Sequence, residues 1–378
     1  MNIFAGGTRP DPVNDAMTFY DRVVSLLAAG ERLALCTLLR LEGSGPRRAG
    51  AKMLLRENGE SLGTVGGGLL EARTSVWAEE VLRAGCAICR PFALSLQQAS
   101  DEGMTCGGQA EVLVEPLDGT SPATRDFCGE ALALLRRRGR GCLVTAISEE
   151  GAGVAVEHFL VVGGACAAVS VAGRTLPTEI LAAVVSVPTL VERGTVRYFL
   201  EPLTPPITVV VFGGGHIARH LVPLCRLLGF RTSVVDDRLD FASRDRFPHA
   251  DELLAVPSFE NALQDLPLDA GHYVVIVTRG HGGDQAILRQ ALRRRPGYIG
   301  MIGSRRKRGL IFEALAREGV GADDLARVVC PIGLPIGAET PEEIALSIAA
   351  ELVATRAARR GAERTSRLLK RAQMQGGA

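Results

Sequence analysis

Apolar residues along this chain switch between helical and strand spacing, and glycine clusters punctuate the changes. Positions 17–29 carry an amphipathic helical pattern that stops at Gly30. Strand-like runs follow at 33–39, 51–56 and 61–65, and Asn58-Gly59 predicts a hairpin turn between the last two. The chain then meets Gly66-Gly67-Gly68 and a helical pattern over 69–82, with Leu69, Ala72 and Val76 beside Leu70, Trp77 and Val81. Cys106-Gly107-Gly108 leads into an alternating strand at 110–115, stopped by Pro116.

The next segment repeats this one in worn form. A shift of 108 positions brings Phe19 onto Phe127, Leu35 onto Leu143, Thr37 onto Thr145 and Glu42 onto Glu150. Both segments finish on Glu-Pro-Leu, at 115–117 and 201–203. The second lacks the triple glycine and the Cys-Gly-Gly. Chemistry is therefore expected in the first copy and scaffolding in the second.

The sharpest pattern lies at 207–240. An apolar, β-branched run from Ile207 to Phe212 breaks at Gly213-Gly214-Gly215. A helical pattern (Ile217, Leu221, Leu224, Leu228) closes at Gly229, and a second apolar run ends in Asp236 and Asp237. Gly213, Gly215 and Ala218 form G-x-G-x-x-A, with an acid 23 residues after the first glycine. In a dinucleotide-binding unit Gly213 allows the tight turn and Gly215 lets backbone approach a pyrophosphate. Ala218 keeps the helix against the sheet, and Asp236 hydrogen-bonds a ribose diol. The same fold also persists without its ligand.

Further strands are expected at 253–256, 272–278, 298–302 and 327–332, with helices in the gaps. The fold class expected is α/β: a C-terminal Rossmann-like domain with a parallel sheet, preceded by an N-terminal α+β region of two degenerate repeats. The expected divisions are a lead-in at 1–14, an α+β domain at 15–118 and a degenerate repeat and linker at 119–204. A Rossmann-like domain at 205–355 and a basic tail at 356–378 complete the chain. Thr340-Pro341-Glu342-Glu343 opens the last helix, with Thr340 as N-cap, Pro341 at N1 and Glu343 closing a capping box. Fraying is expected from Arg356.

Composition narrows the classes. Basic and acidic residues number 43 and 42, which gives no argument for nucleic acid, and only three of the 43 are lysines. The chain has no apolar run of membrane-spanning length and no signal-peptide pattern, so a cytoplasmic, membrane-free protein is expected. Nine cysteines without a regular rhythm suggest small buried hydrophobes, and Cys86-Ala-Ile-Cys89 is a lone CxxC without the second pair a zinc site needs.

Taken together the motifs resemble the XdhC/CoxI family, accessory factors that mature xanthine dehydrogenase and related molybdenum hydroxylases. The resemblance rests on GSGPRRAGAKMLL (43–55), GTVGGGLLE (63–71), CGGQAEVLVEPL (106–117), VVVFGGGHIARHL (209–221) and VVDDR (234–238). VIVTRGHGGD (275–284), YIGMIGSRRKR (298–308) and PIGLPIGAETPEEIALSIAAEL (331–352) continue it. It implies a protein that binds the molybdenum–pterin cofactor (molybdopterin), holds it while sulfur is delivered, and helps insert it into a hydroxylase. A xanthine dehydrogenase-type hydroxylase, a cysteine desulfurase as sulfur donor and a second copy of the chain in a homodimer are the partners expected. Some relatives carry Cys where this chain has Gly68, and some have two adjacent cysteines where it has only Cys106.

Such a cofactor is anionic and holds its metal through sulfur. Gly66, Gly67 and Gly68 before a helix suit its phosphate, with Arg47 and Arg48 as guanidinium partners and Glu71 in the first turn. Cys106, followed by Gly107 and Gly108, is the candidate catalytic thiol and soft-metal ligand. The plainer readings are a hairpin cap for the glycines and a packed thiol for Cys106. At the second unit Arg279 and His281 follow a strand's carboxyl end, with Asp284 three residues on. His281 is either an acid, base or ligand, or a loop histidine bonded to Asp284. Gly303, Ser304 and Arg305 open another strand-to-helix turn suited to an anion, unless its bases form a solvated face. NAD or a related nucleotide is the candidate at Gly213–Ala218. An NAD-dependent oxidoreductase with His281 as proton donor is the competing function.

Overall fold

The computed structural model describes residues 16–43, 48–93, 108–151, 153–170, 175–183, 185 and 187–375, without the side chains of 43, 108 and 360–375. It divides into two compact units, Met1–Pro205 and Pro206–Ala378.

The first unit contains the same small fold twice. Helix α1 (Ala16–Ala28) precedes β1 (Arg32–Gly43), β2 (Lys52–Arg56) and β3 (Ser61–Gly63). Helix α2 (Gly68–Ala84), β4 (Ile88–Ala93) and β5 (Gly108–Asp118) complete an antiparallel sheet of order β3-β2-β1-β5-β4. Helix α3 (Pro122–Arg136) then precedes β6 (Gly141–Glu150), β7 (Gly153–Val162) and β8 (Ala165–Val169). Helix α4 (Thr178–Leu181), β9 (Thr189–Arg193) and β10 (Val196–Leu203) follow, and the order is β8-β7-β6-β10-β9. The two orders are the same permutation. Registers agree as well: Leu35 pairs with Glu115 as Leu143 pairs with Glu201, and Thr37 faces Lys52 as Thr145 faces His158. The worn element is the helix on the outer face, 17 residues in α2 and four in α4.

Each central strand is buried on both faces, which is why β1 and β6 read as nearly unbroken apolar runs. Leu33 and Leu35 of β1 and Leu143 of β6 pack with α1 and α3 in one shared core, while Ala34, Cys36 and Leu38 pack under α2. That shared layer also holds two polar pairs related by the repeat. Lys52 Nζ donates to Thr37 Oγ1 (3.1 Å) and to Glu201 Oε2 (2.9 Å). His158 Nε2 lies 2.7 Å from Glu115 Oε2, and its Nδ1 lies 3.0 Å from Thr145 Oγ1. Both ring nitrogens of His158 are thereby engaged. Each pair joins the second strand of one repeat to the last strand of the other.

The second unit is a six-stranded parallel sheet of order β13-β12-β11-β14-β15-β16. Its strands are β11 (Thr208–Phe212), β12 (Arg231–Asp236), β13 (Glu252–Ala255), β14 (His272–Ile276), β15 (Tyr298–Met301) and β16 (Val328–Val329). Its helices are α5 (His216–Leu227), α6 (His281–Arg294), α7 (Arg305–Arg317), α8 (Ala322–Ala326) and α9 (Pro341–Gln375). Strand order reverses between β11 and β14, the place where ligands bind in such sheets. Two connections differ from the expected helices. Leu239–Phe241 and Phe259–Asn261 are single 3-10 turns, because residues 237–271 are too rich in polar and turn-forming residues to sustain an apolar stripe. The capping box forms: Thr340 N–H donates to Glu343 Oε2 (3.1 Å) and Glu343 N–H to Thr340 Oγ1 (3.3 Å). The helix it opens continues past Arg356 to Gln375. Among its earlier residues Arg356 donates to Leu228 O (2.9 Å) and lies over the Phe230 ring. No helix among the described residues is long and apolar enough to cross a membrane.

Candidate functional site

In the first unit, motifs distant in sequence leave one end of the first sheet. Gly43 at the end of β1 pairs with Gly108 at the start of β5, so the chain leaves β1 and enters β5 side by side. The glycine triplet follows β3 at the same end, where Gly63 pairs with Met53. Arg48 is exposed there. Arg47, Cys106 and Gly107 lie outside the described residues.

Gly66, Gly67 and Gly68 have φ of 145°, 75° and 58°, a succession that side-chain-bearing residues resist. A Cβ on Gly67 would meet nothing within 4 Å, so the space before α2 is open. Its N–H is already used. Glu71 reaches back one turn and its Oε2 accepts from Gly67 N–H (3.1 Å) and from the Thr64 hydroxyl, while Thr64 Oγ1 accepts from Gly66 N–H (3.0 Å). Glu71 caps its own helix, so an arriving phosphate would meet a carboxylate. A cavity of about 710 Å³ elsewhere in this unit is lined by Glu80, Glu115, Glu150, Cys86 and Arg90 among others. The Glu115 carboxylate is turned to His158, and Glu80 and Glu150 against one guanidinium do not suit an anionic ligand.

Burial pushes the thiols of Cys36, Cys89, Cys128, Cys142 and Cys225 up, the last four to about 12, which makes them poor nucleophiles. Cys86 and Cys89 are free, and no group of three metal-ligating side chains occurs among the described residues.

In the second unit the glycine turn has three different tasks. Gly213 has φ 104°, and a Cβ there would stand 2.6 Å from Val277 O. On Gly214 a Cβ would run into the Phe241 carbonyl. Gly215, the N-cap of α5, has φ −75° and faces open space. Ala218 is fully buried against the sheet. Asp236, 1% exposed, accepts from Gly214 N–H (2.8 Å), Arg238 N–H (3.0 Å), Arg238 Nε (2.9 Å) and Arg238 Nη2 (3.0 Å). Burial by itself would raise its pKa, but these hydrogen bonds outweigh burial and hold it below the usual carboxylate range. A carboxyl depressed in the folded chain contributes stability above its ordinary pKa, withdrawn as pH falls through the lowered value. Below about pH 4, the wild type should lose stability more steeply than Asp236→Asn. Urea midpoints measured across that range check this, and parallel curves would contradict it.

Across the switch point, Asp284 does not bond His281. It is wholly buried in the first turn of α6, 2.5 Å from Thr278 Oγ1 and ion-paired with Lys307. Burial outweighs Lys307 and Thr278 and raises its pKa. His281 is exposed at the head of α6. Arg279, on the same loop, donates to Asp237 Oδ2 (3.0 Å) and is largely exposed. At the next turn Ser304 caps α7, accepting from Lys307 N–H (3.2 Å), and Arg305 is exposed. A Cβ on Gly303 would meet Lys307 Cδ at 2.9 Å, so the lysine stem lies along it. Buried Cys330 lies 3.8 Å from Gly303 O. Gly213, Gly215, Asp236, Arg279, Asp284, Gly303, Ser304 and Arg305 thus share the carboxyl end of one sheet, whereas the glycine triplet, Arg48 and Gly108 belong to the other unit.

Sequence reasoning took Lys307 only as one of four bases in the turn at 303–308 and missed its pairing with Asp284. One signal pointed to Lys307. In a chain that almost always uses arginine, two of three lysines, Lys52 and Lys307, sit in buried ion pairs. A compact ammonium fits there where a planar guanidinium does not.

Residues 26–91 match the XdhC and CoxI family, and residues 209–352 match the XdhC Rossmann domain. The chain belongs to the XdhC and CoxI family. It is similar to a Bacillus subtilis protein named as a probable xanthine dehydrogenase subunit, 26% identical over 76% of this chain and 84% of that one. It is similar to the molybdenum cofactor insertion chaperone PaoD of Escherichia coli K12, 22% identical over 85% and 82%. A third relative, YqeB of Escherichia coli K12, is 33% identical over 34% of this chain, a match that spans 23% of YqeB's own length. Among solved structures, a xanthine dehydrogenase from Bacillus halodurans superposes with a TM-score of 0.74 at 25% identity, covering 90% of this chain and 96% of that one.

Proposed function

We propose that this XdhC-family chain serves the maturation of a xanthine dehydrogenase-type molybdenum hydroxylase by binding the molybdenum–pterin cofactor and passing it on. The observation that carries this reading is the likeness over most of the chain to a molybdenum cofactor insertion chaperone and to a probable component of xanthine dehydrogenase.

The residues present fit the phosphate end of such a cofactor best at the second unit. There Gly215 and the head of α5 are open, and Arg279 and Arg305 are exposed cations at the same sheet end. Open backbone N–H groups at a helix start favour a phosphate, and the guanidiniums offer bidentate contacts. At the first unit the Glu71 cap competes with a phosphate. When bound, the cofactor would supply a metal that exchanges sulfur and oxygen ligands. The chain's own share at the second unit is to hold the phosphate, and Cys106, which lies outside the described residues, is the soft donor that the sequence offers. Sulfuration by a cysteine desulfurase while the cofactor is held belongs to the same reading. The NAD-dependent oxidoreductase reading gains nothing from Asp236, whose acceptor positions are already filled.

The test is anaerobic co-expression with a molybdenum hydroxylase in a cofactor-producing host. The chain should purify with molybdenum and pterin near equimolar, and hydroxylase activity should fall at least tenfold without it. Cys106→Ser should retain the wild-type melting temperature and lose the metal. A chain free of both metal and pterin, with hydroxylase activity independent of it, would end the proposal. Constant stoichiometric association with the hydroxylase would make it a permanent component of that enzyme instead of a transient factor.

A further inference from the structure

Asp236 occupies the position that holds a ribose diol in dinucleotide-binding units, but here its own chain holds it. A carboxylate offers about four acceptor positions, and Gly214 N–H, Arg238 N–H and the Nε and Nη2 of Arg238 take all four, at 2.8–3.0 Å. The arginine is itself fastened. Its guanidinium lies 3.3 Å from the Phe241 ring centroid, Arg246 stands 4.5 Å from the same centroid, and Arg246 Nη2 donates to Gly214 O (3.2 Å). The Phe241 carbonyl fills the space where a side chain at 214 would go. The segment after β12 is therefore stapled over the ribose side of the glycine turn, while Gly215, on the pyrophosphate side, stays open.

We propose that Arg238 is the specificity-determining residue of this crevice: it closes the ribose position and so rejects NAD, although the glycine turn and acid of a dinucleotide site are both present. To bind, a ribose diol must displace a bidentate charge-assisted pair and a cation–π contact, then leave the guanidinium without its partner. A ligand that asks nothing of Asp236 meets no such barrier. The 2′-phosphate of NADP gains no entry, because Asp236 carries a like charge. This inference stands apart from the molybdenum reading.

Calorimetric titration of the full chain with NAD and NADP tests it, using wild type, Arg238→Ala and Arg238→Gln. Glutamine keeps a planar group over Phe241 but cannot occupy both carboxylate oxygens with a charged fork. Wild type should give no saturable binding of either nucleotide at millimolar concentration. Both variants should gain NAD affinity by about tenfold or more, the worth of one charge-assisted hydrogen bond, without gaining NADP. Wild-type NAD affinity within threefold of the variants would overturn the proposal. So would folded variants that still ignore NAD. If neither variant folds, Arg238 is a structural strut and the proposal fails.

Discussion

Lys52→Met is expected to lower unfolding free energy by about 3–5 kcal/mol, the usual cost of removing one partner from a buried ion pair. The side chains of Lys52 and Glu201 are 14% and 10% exposed and lie 2.9 Å apart in the layer between the two repeats. Removing the ammonium leaves the Glu201 carboxylate without its cation and the Thr37 hydroxyl without its donor. The double variant Lys52→Met/Glu201→Leu should recover most of the loss, because two apolar groups of similar size need no partner there. Urea unfolding followed by Trp77 fluorescence reads this directly, since Trp77 is the only tryptophan and packs in the first unit's core. A double variant as unstable as the single one would mean that the layer needs its charges for more than mutual compensation. The repeat-related contact of His158 with Glu115 and Thr145 occupies the matching place in the same layer.

The second large effect separates glycines that look alike in sequence. Gly213→Ala should destabilise the second unit by roughly 3 kcal/mol or more. A side chain at φ 104° is strained, and its Cβ would stand 2.6 Å from Val277 O and 3.0 Å from Thr278 Cα. Those are backbone atoms of the adjacent central strand's exit and cannot swing aside. Gly215→Ala should change stability by no more than about 1 kcal/mol, the difference between glycine and alanine as an N-cap, because φ is −75° and nothing lies within 4 Å. Differential scanning calorimetry of the two variants decides it. Equal melting temperatures would contradict the division of labour between the glycine that shapes the turn and the one left open for a ligand.

Local signals in the sequence were enough for the sheet class and for most elements, though not for β4 or for the 3-10 turns that replace two expected helices. The glycine turn between two apolar runs at 207–236 marks a Rossmann unit, because strand, turn and helix each depend on near neighbours. The capping box at Thr340 and Glu343 is legible for the same reason: its hydrogen bonds span three residues. Repetition was legible through Thr37 and Thr145 and the two Glu-Pro-Leu segments, and the common strand order gives that likeness its physical form.

What the linear chain could not carry was the pairing of charges across the fold. Lys52 and Glu201 are 149 residues apart, and only the facing of two sheets makes them partners. Lys307 read as one of four bases suited to an anion or to a solvated face, and only the packing of α7 beside α6 turns it toward Asp284. Asp236 was legible as an acid at a strand end, yet its availability was not. Arg238 is only two residues away, but its direction is set by Phe241 and Arg246 on a segment that folds back over the glycine turn. Periodicity and turn chemistry act over a few residues and so are written locally. Whether a carboxylate is free or filled depends on every group that the finished fold brings within hydrogen-bonding distance, and that was decided by tertiary structure.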